Sequence, residues 1–489
     1  MTDIIFLNVP LMSLSFPAAG TNLLKGIVEN HGFSARVLDL NYKLFEQVGQ
    51  EIYDEYANYF TLEGNIPAEL EQQYSRFLDQ HVAWIVAQNP RYVGISVFTF
   101  ECQKATKDIC QKLRQVAPKI SIVLGGAGLS TTGIANKIPD FGNHMIEQKL
   151  ADYYIQGEAD QKIVDLLQGN INSTKISFTQ LDSIDNVALP NYIDVVDNQY
   201  LWPNRTPTLP ITGSRGCVRQ CTFCDIHKFW PKYKFRGGRQ IALEMIELYQ
   251  RTGVRNFIFT DSLINGSLKN FRELCTELVN YYRDNNFPDR YFTWSGQFIC
   301  RDPLQFKEHD FEMASLAGMT GVAMGVESGS DSVLEHMKKG FTRKDLDFTM
   351  SCLQRYRINC YFLMIVGYPT ETQQDFDITV EMFEQYQKYA MDGTILGVNL
   401  GGTLSLDAGT DLTENAVALG LYDRSQQSQE LFGLDWVNHN NPTLTLEERI
   451  RRRIVLQERL MDLGYTIWNG DHQLRRLMAS YTKIVNGKY

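Results

Sequence analysis

Short apolar runs alternate with helical patterns twice along this chain, and no other feature restricts the fold as much. In the first series "DIIFLNV" (3–9), "ARVLDL" (35–40), "YVGISVF" (92–98) and "ISIVLGGAGLS" (120–130) read as strands. Between them Leu23, Leu24, Ile27 and Val28 share one helical face, and Ala105, Ile109 and Leu113 recur at four-residue spacing. Strand–helix alternation of this kind predicts a doubly wound, Rossmann-like parallel sheet, with its ligand crevice at the carboxyl ends of the strands. The second series comprises 209–213, "NFIFTD" (256–261), "YFTWSG" (291–296), "TGVAMGVE" (320–327), "NCYFLMIVG" (359–367) and "TILGVNL" (394–400). Six successive βα-type units predict a partial (β/α)6 TIM-like barrel whose chemistry sits at the same strand ends.

The domain organisation follows. Residues 1–170 form the α/β domain, 171–208 an aperiodic linker carrying Pro190, Pro203 and Pro207, 209–410 the barrel and 411–489 a mostly helical region. A formal charge of −10 argues against nonspecific nucleic-acid binding. Arg449, Arg451, Arg452, Arg453 and Arg459 form one basic run, but interleaved glutamates make it read as a solvated helix face, with an RNA contact as the other reading. The N-terminus lacks a basic start, carries Asp3 and is broken by Pro10 and Pro17, so it reads as a buried strand rather than a signal peptide. No apolar stretch is long enough for a membrane span. Nine cysteines without an export signal suit a reducing cytoplasm.

Three of those cysteines fall together. "ITGSRGCVRQCTFCDIHKFW" (211–230) places Cys217, Cys221 and Cys224 in a loop leaving a predicted barrel strand. The C-x3-C-x2-C spacing fits neither common zinc pattern, since those gather four ligands. His227 could complete a zinc site. The loop's position at the expected active face favours an iron–sulfur cluster, because three thiolates on a cubane leave one iron open to a substrate or cofactor.

With these residues in view, 209–400 resembles the radical S-adenosylmethionine (SAM) enzymes. The resemblance implies that Cys217, Cys221 and Cys224 hold a [4Fe-4S] cluster whose fourth iron is chelated by the amino and carboxylate groups of SAM. Reductive cleavage would give methionine and a 5′-deoxyadenosyl radical, which usually abstracts hydrogen from substrate. Phe223 would lie against the adenine. "AGMTGVAMGVESGSDSVLEHMKKGFT" (317–342) is similar to the family's fourth-strand segment and makes Glu327 an acceptor for SAM, helix capping being its other reading. "FTDSLIN" (259–265) stands where the family binds the SAM amino group through Gly-Gly-Glu, with Asp261 and Ser262 in its place here. "MIVGYPTETQQDF" (364–376) resembles the fifth-strand turn, where Gly367 and Pro369 let the backbone approach the cofactor. The run "HKFWPKYKFRGG" either covers the site or packs as a loop.

The segments "YVGISVFTF", "VLGGAGLSTTG" and "ADYYIQGEADQKIVDLL" resemble the cobalamin-binding domain that precedes the barrel in one large radical SAM class. Gly125, Gly126 and Gly128 would let a phosphate or nucleotide tail approach, and Ser96 could hydrogen-bond it. No D-x-H-x-x-G motif supplies a cobalt-ligating histidine. Cys102, Cys110, Cys275, Cys300, Cys352 and Cys360 fall in apolar or helical segments as packing residues, so one cluster is expected. The expected activity is methyl transfer to an unactivated carbon, or a radical rearrangement or ring closure. Without cobalamin it becomes hydrogen abstraction or dehydrogenation. A non-catalytic iron–sulfur or corrinoid carrier is the reading from another class. The partners would be an unidentified small-molecule or peptide substrate and an electron donor such as flavodoxin or ferredoxin, with neither membrane nor nucleic acid.

Overall fold

The computed structural model describes residues 2–62, 66–130, 140–201, 206–406, 409–423 and 436–468. Pro203 of the expected linker and residues 469–489 of the expected helical region lie outside them. Contacts divide the chain into one unit of residues 1–211 with 246–254 and a second of 212–245 with 255–489.

The first unit is built on a six-stranded sheet in the order β2-β1-β3-β4-β5-β6. Its strands are β1 (Ile4–Asn8), β2 (Ala35–Asp39), β3 (Tyr92–Ser96), β4 (Ser121–Gly125), β5 (Tyr153–Gly157) and β6 (Lys175–Thr179), all paired in parallel. Every residue of β1 is buried, as a strand covered by helices on both faces requires. Ile5, Leu7, Val93, Ile95, Ile122 and Leu124 join Ile109 and Leu113 of the Gln103–Val116 helix in one core. Chain direction across the sheet reverses between β1 and β3, where Asn8 stands in register with Ser96. That reversal is the switch point at which such sheets open a crevice.

The stretch expected as linker begins with β6, which the sequence conceals. An edge strand of five residues with one buried side chain, Ile176, shows no alternation to detect. The rest of the stretch is packed rather than slack. Asp194 takes both the ammonium of buried Lys25 at 2.5 Å and the amide of Val37 at 2.8 Å, while the Tyr200 hydroxyl donates to Asp39 at 2.7 Å.

The second sheet has the order β14-β13-β12-β11-β10-β7. Its strands are β7 (Thr208–Ile211), β10 (Asn256–Phe259), β11 (Thr293–Phe298), β12 (Met319–Glu327), β13 (Asn359–Met364) and β14 (Ile395–Asn399). Neighbours from β10 to β14 are parallel, and the register slips between Gly325 and Glu327 where β12 meets β13. A two-residue pair, β8 (Ser214–Arg215) with β9 (Lys234–Phe235), stands outside this sheet. On its open side β14 is covered by the returning chain, with the Val398 amide donating to Thr466 and that of Trp468 to Val398, both at 2.9 Å. Covering an edge in this way satisfies its backbone groups. Beyond β14 come a short antiparallel pair, β15 (Leu421–Asp423) with β16 (Trp436–Asn438), and the Leu446–Asp462 helix.

Candidate functional site

Cys217, Cys221 and Cys224 are free, half-buried thiols in the loop between β8 and the Ile226–Phe229 helical turn. Gly216, at φ 84°, lets the chain leave β8 into that loop. The Arg219 amide points at the Cys217 sulfur at 3.4 Å, and the Cys224 amide closes a turn on the Cys221 carbonyl at 3.1 Å. Burial pushes all three thiols up, each is raised further by a neighbouring cysteine of the trio, and Lys339 opposes the shift in every case. Among the described residues no three His, Cys, Asp or Glu side chains are gathered as ligands of a single ion. The His227 Nε2 lies 2.8 Å from the Arg219 carbonyl, so that ring is committed to the loop's own backbone. A donor set of three thiols without a fourth ligand fits a cubane with one open iron, since each sulfur serves a different iron.

The start of the loop is held by Asp261, at the end of β10. Its carboxylate accepts the Gly213 amide at 2.8 Å and the Ser214 hydroxyl at 2.7 Å. Expected to face the SAM amino group, Asp261 is instead committed to the backbone leading into the cysteines, and Ser262 is half-buried beside it. Burial raises the Asp261 pKa from 3.8 to about 7 against those hydrogen bonds. An acid whose pKa is higher in the folded state lowers stability as pH rises from its unfolded to its folded value. Thermal unfolding of Asp261→Asn should therefore depend less on pH between about 4 and 7 than that of the native chain. In the aromatic and basic run after the cysteines Arg236 is buried while Phe235 is exposed. Lys234–Phe235 forms β9 against β8, and buried Arg236 pairs with Glu244 at 2.5 Å while donating to the Thr212 carbonyl.

Glu327 ends β12 with φ 64°, a left-handed backbone that costs a non-glycine residue about 1–3 kcal/mol. Its buried carboxylate lies 3.1 Å from the ammonium of Lys339, itself buried. A Cβ on Gly325 would stand 2.4 Å from Glu327 Oε1 and 3.0 Å from Lys339 Nζ, so glycine makes room for the pair. Burial alone would lower the Lys339 pKa, but Glu327 and Cys221 outweigh it and hold the ammonium charged. Lys339 Nζ also lies 5.8 Å from the Phe223 ring centroid. Phe223 packs against a cluster containing Met337, Tyr368, Leu412 and Trp436. Lys339 was missed from sequence, where "HMKKGF" carries no sign that its second lysine is buried.

Gly367, at φ 80°, is glycine because its Cβ would meet Arg449 Cγ at 2.6 Å. Here the sequence expectation fails. Arg449, Arg452 and Arg453 do not lie on a solvated face but are 0%, 3% and 0% exposed. Arg449 stacks 3.6 Å from the Trp436 ring centroid and donates to the Trp436 carbonyl. Arg452 pairs with buried Glu371 at 2.9 Å, and Arg453 donates to the Gly401 carbonyl at 2.8 Å. Carbonyls at the strand ends need donors, and guanidinium forks supply them. Arg451 and Arg459 remain at the surface, paired with Glu448 and Glu384.

In the first unit Ser96 and Gly125 stand in register at the ends of β3 and β4. Nothing occupies the space beside the Gly125 Cα. Gly126 and Gly128 have another reason to be glycine. A Cβ on either would come within 2.3 Å of a carbonyl oxygen, that of Val97 or Thr99. These two therefore accommodate the loop after β3, and open space is found only beside Gly125 of the three glycines. The six other cysteines are all buried, as expected.

A parallel sheet whose first strand leads into a three-thiol loop, with a buried carboxylate–ammonium pair near those thiols, is an arrangement able to hold a cluster. Residues 211–383 match the radical SAM superfamily. The chain's fold aligns with the radical S-adenosylmethionine methyltransferase TsrM from Kitasatospora setae, solved with cobalamin and a [4Fe-4S] cluster bound, at TM-score 0.65 and 16% identity, covering 99% of this chain and 100% of that one. OxsB, a cobalamin-dependent S-adenosylmethionine radical enzyme solved with aqua-cobalamin, aligns at TM-score 0.57 and 13% identity over 94% of this chain and 62% of that one. In sequence, the anaerobic magnesium-protoporphyrin IX monomethyl ester cyclase of Cereibacter sphaeroides is 24% identical over 294 residues, 56% of this chain and 46% of that protein. The chain spans about half the length of the curated relatives it matches, 46% and 56% for two such cyclases. At these identities the solved structures establish the fold. No helix among the described residues is long and apolar enough to cross a membrane.

Proposed function

We propose that this protein binds a [4Fe-4S] cluster through Cys217, Cys221 and Cys224, cleaves SAM reductively there, and binds cobalamin on its first sheet for methyl transfer to an unactivated carbon. The observation that carries the cluster reading is that one loop holds three free, half-buried thiols while His227 in the same loop is bonded to the Arg219 carbonyl. Likeness in fold to TsrM and OxsB, both solved with cobalamin, supports the corrinoid. When bound, the cluster supplies one electron to SAM and the corrinoid supplies a methyl carrier. The residues' own work is to bind and orient. Lys339 favours the thiolate forms by its charge, Glu327 offers an acceptor to SAM, and Phe223 offers a ring face for the adenine. Ser96 and Gly125 would meet the corrinoid tail, and the strand ends of the barrel would hold substrate away from water and close to the reacting carbon.

A rearrangement or ring closure is the second outcome of the same machinery. Hydrogen abstraction without cobalamin is favoured by one observation, that Gly126 and Gly128 are explained by their own neighbouring loop. The substrate would be a small molecule or peptide, the reductant a flavodoxin or ferredoxin, and the compartment the cytoplasm. Anaerobically purified protein given SAM and reductant should yield S-adenosylhomocysteine together with 5′-deoxyadenosine, and should retain a corrinoid detectable by absorbance and mass. Retained corrinoid with both products supports methyl transfer. Only 5′-deoxyadenosine, without corrinoid, supports hydrogen abstraction, and a stable cluster giving neither product makes the protein a carrier.

A further inference from the structure

Thr222 lies inside the turn that joins Cys221 to Cys224 and is 8% exposed, with every polar group engaged. Its amide donates to the Met337 carbonyl at 3.2 Å, and its carbonyl accepts the Leu412 amide at 2.8 Å. Its hydroxyl lies 2.8 Å from that of Tyr368, which in turn lies 3.2 Å from the His336 carbonyl. A carbonyl only accepts, so the arrangement that satisfies both hydroxyls has Thr222 donating to Tyr368 and Tyr368 donating to His336. Tyr368 is 3% exposed and follows Gly367 in the turn after β13. One buried hydroxyl thus ties the turn expected to approach SAM to the loop that carries the thiols.

We infer that Tyr368 is a positioning residue, whose hydroxyl fixes the cysteine loop at Thr222 so that the open corner of the cluster faces SAM. This rests on the cluster reading above. The ring of Tyr368 packs in the apolar cluster with Met337, Leu412 and Trp436. Tyr368→Phe keeps that packing and removes only the hydroxyl, and Thr222→Val removes the other end of the same bond at nearly constant shape. A misplaced loop weakens SAM engagement more than it weakens iron binding, because three thiolates still reach the cluster.

The test is a SAM titration of the electron paramagnetic resonance spectrum of the reduced, reconstituted holoenzyme, with iron content and the KM and kcat for SAM cleavage measured in parallel. Both variants should keep the iron of the native protein yet need about tenfold more SAM to reach the same spectral change, the upper worth of one hydrogen bond. KM should rise by a similar factor with kcat little altered. The double variant should be no worse than Tyr368→Phe alone, since that substitution already removes the bond to Thr222 together with the one to the His336 carbonyl, and Thr222→Ser, which restores a hydroxyl, should titrate as the native protein does. A Tyr368→Phe titration that overlays the native curve overturns the inference. So does a double variant whose loss is the product of the two single losses, or a loss of iron in step with a fall in unfolding temperature. Native protein that binds no iron would overturn the cluster reading itself, which separates the two failures.

Discussion

Cys221→Ala should abolish iron binding and SAM cleavage together while leaving the fold intact. The two effects are linked because only three thiols are available to the cluster. Removing one leaves two ligands for a group that needs at least three, and among the described residues no neighbouring side chain is placed to replace it. His227 is held by the Arg219 carbonyl at 2.8 Å, and Glu327 by Lys339 at 3.1 Å. The six remaining cysteines are buried in the cores. Because Cys221 is half-buried in a loop, the truncation opens no core cavity and should shift the unfolding temperature of the metal-free protein by a few degrees at most. Iron analysis, absorbance and product formation after anaerobic reconstitution check the prediction. A variant that keeps its cluster would show a fourth ligand within reach.

The second large effect is on stability. Arg452→Ala should destabilise the barrel unit by about 3–5 kcal/mol, the usual cost of removing one partner from a buried ion pair. Arg452 and Glu371 are each 3% exposed and 2.9 Å apart, and the Arg452 Nη1 also serves the Glu371 and Thr372 carbonyls. Burial already raises the Glu371 pKa from 4.5 to about 7 although Arg452 opposes it. Without Arg452 that value rises further, so the loss should be larger at pH 8 than at pH 6, where Glu371 takes a proton and becomes neutral. Denaturant unfolding of the variant at the two pH values measures this. Arg452→Met combined with Glu371→Leu should cost less than Arg452→Ala, because no orphaned charge remains. An exposed arginine would show neither the size nor the pH dependence. The Gly367 amide donates to the same Glu371 at 3.2 Å, so the turn after β13 should loosen as well.

The strands were legible because each is an apolar run closed by polar or turn residues. "NCYFLMIVG" reads as β13 and "YVGISVF" as β3 to within a few residues. The cysteine loop was legible as a loop because the C-x3-C-x2-C spacing and its flanking strand are local features. What escaped depends on contacts between distant residues. Lys175–Thr179 is an edge strand that buries only Ile176, too little for a periodic signal. The Leu446–Asp462 helix has arginines and glutamates interleaved as on a solvated face, yet three of the arginines turn inward toward carbonyls contributed by residues as far away as Gly401 and Trp436. Asp261 was placed at the correct strand end, but nothing in "FTDSLIN" tells that its carboxylate takes the Gly213 amide and the Ser214 hydroxyl. Gly126 and Gly128 share that ambiguity, since a glycine demanded by a neighbouring backbone looks the same in sequence as one demanded by a ligand.

The central claim is that three sulfurs hold an iron cluster whose remaining corner is free. Quantifying iron and acid-labile sulfide in oxygen-free protein, and recording the reduced spectrum before and after SAM is added, addresses it most directly. The account predicts about four irons and about four sulfides per chain, with a spectrum that SAM visibly alters. Stoichiometric zinc in place of iron, or a cluster spectrum that SAM leaves unchanged, would contradict it.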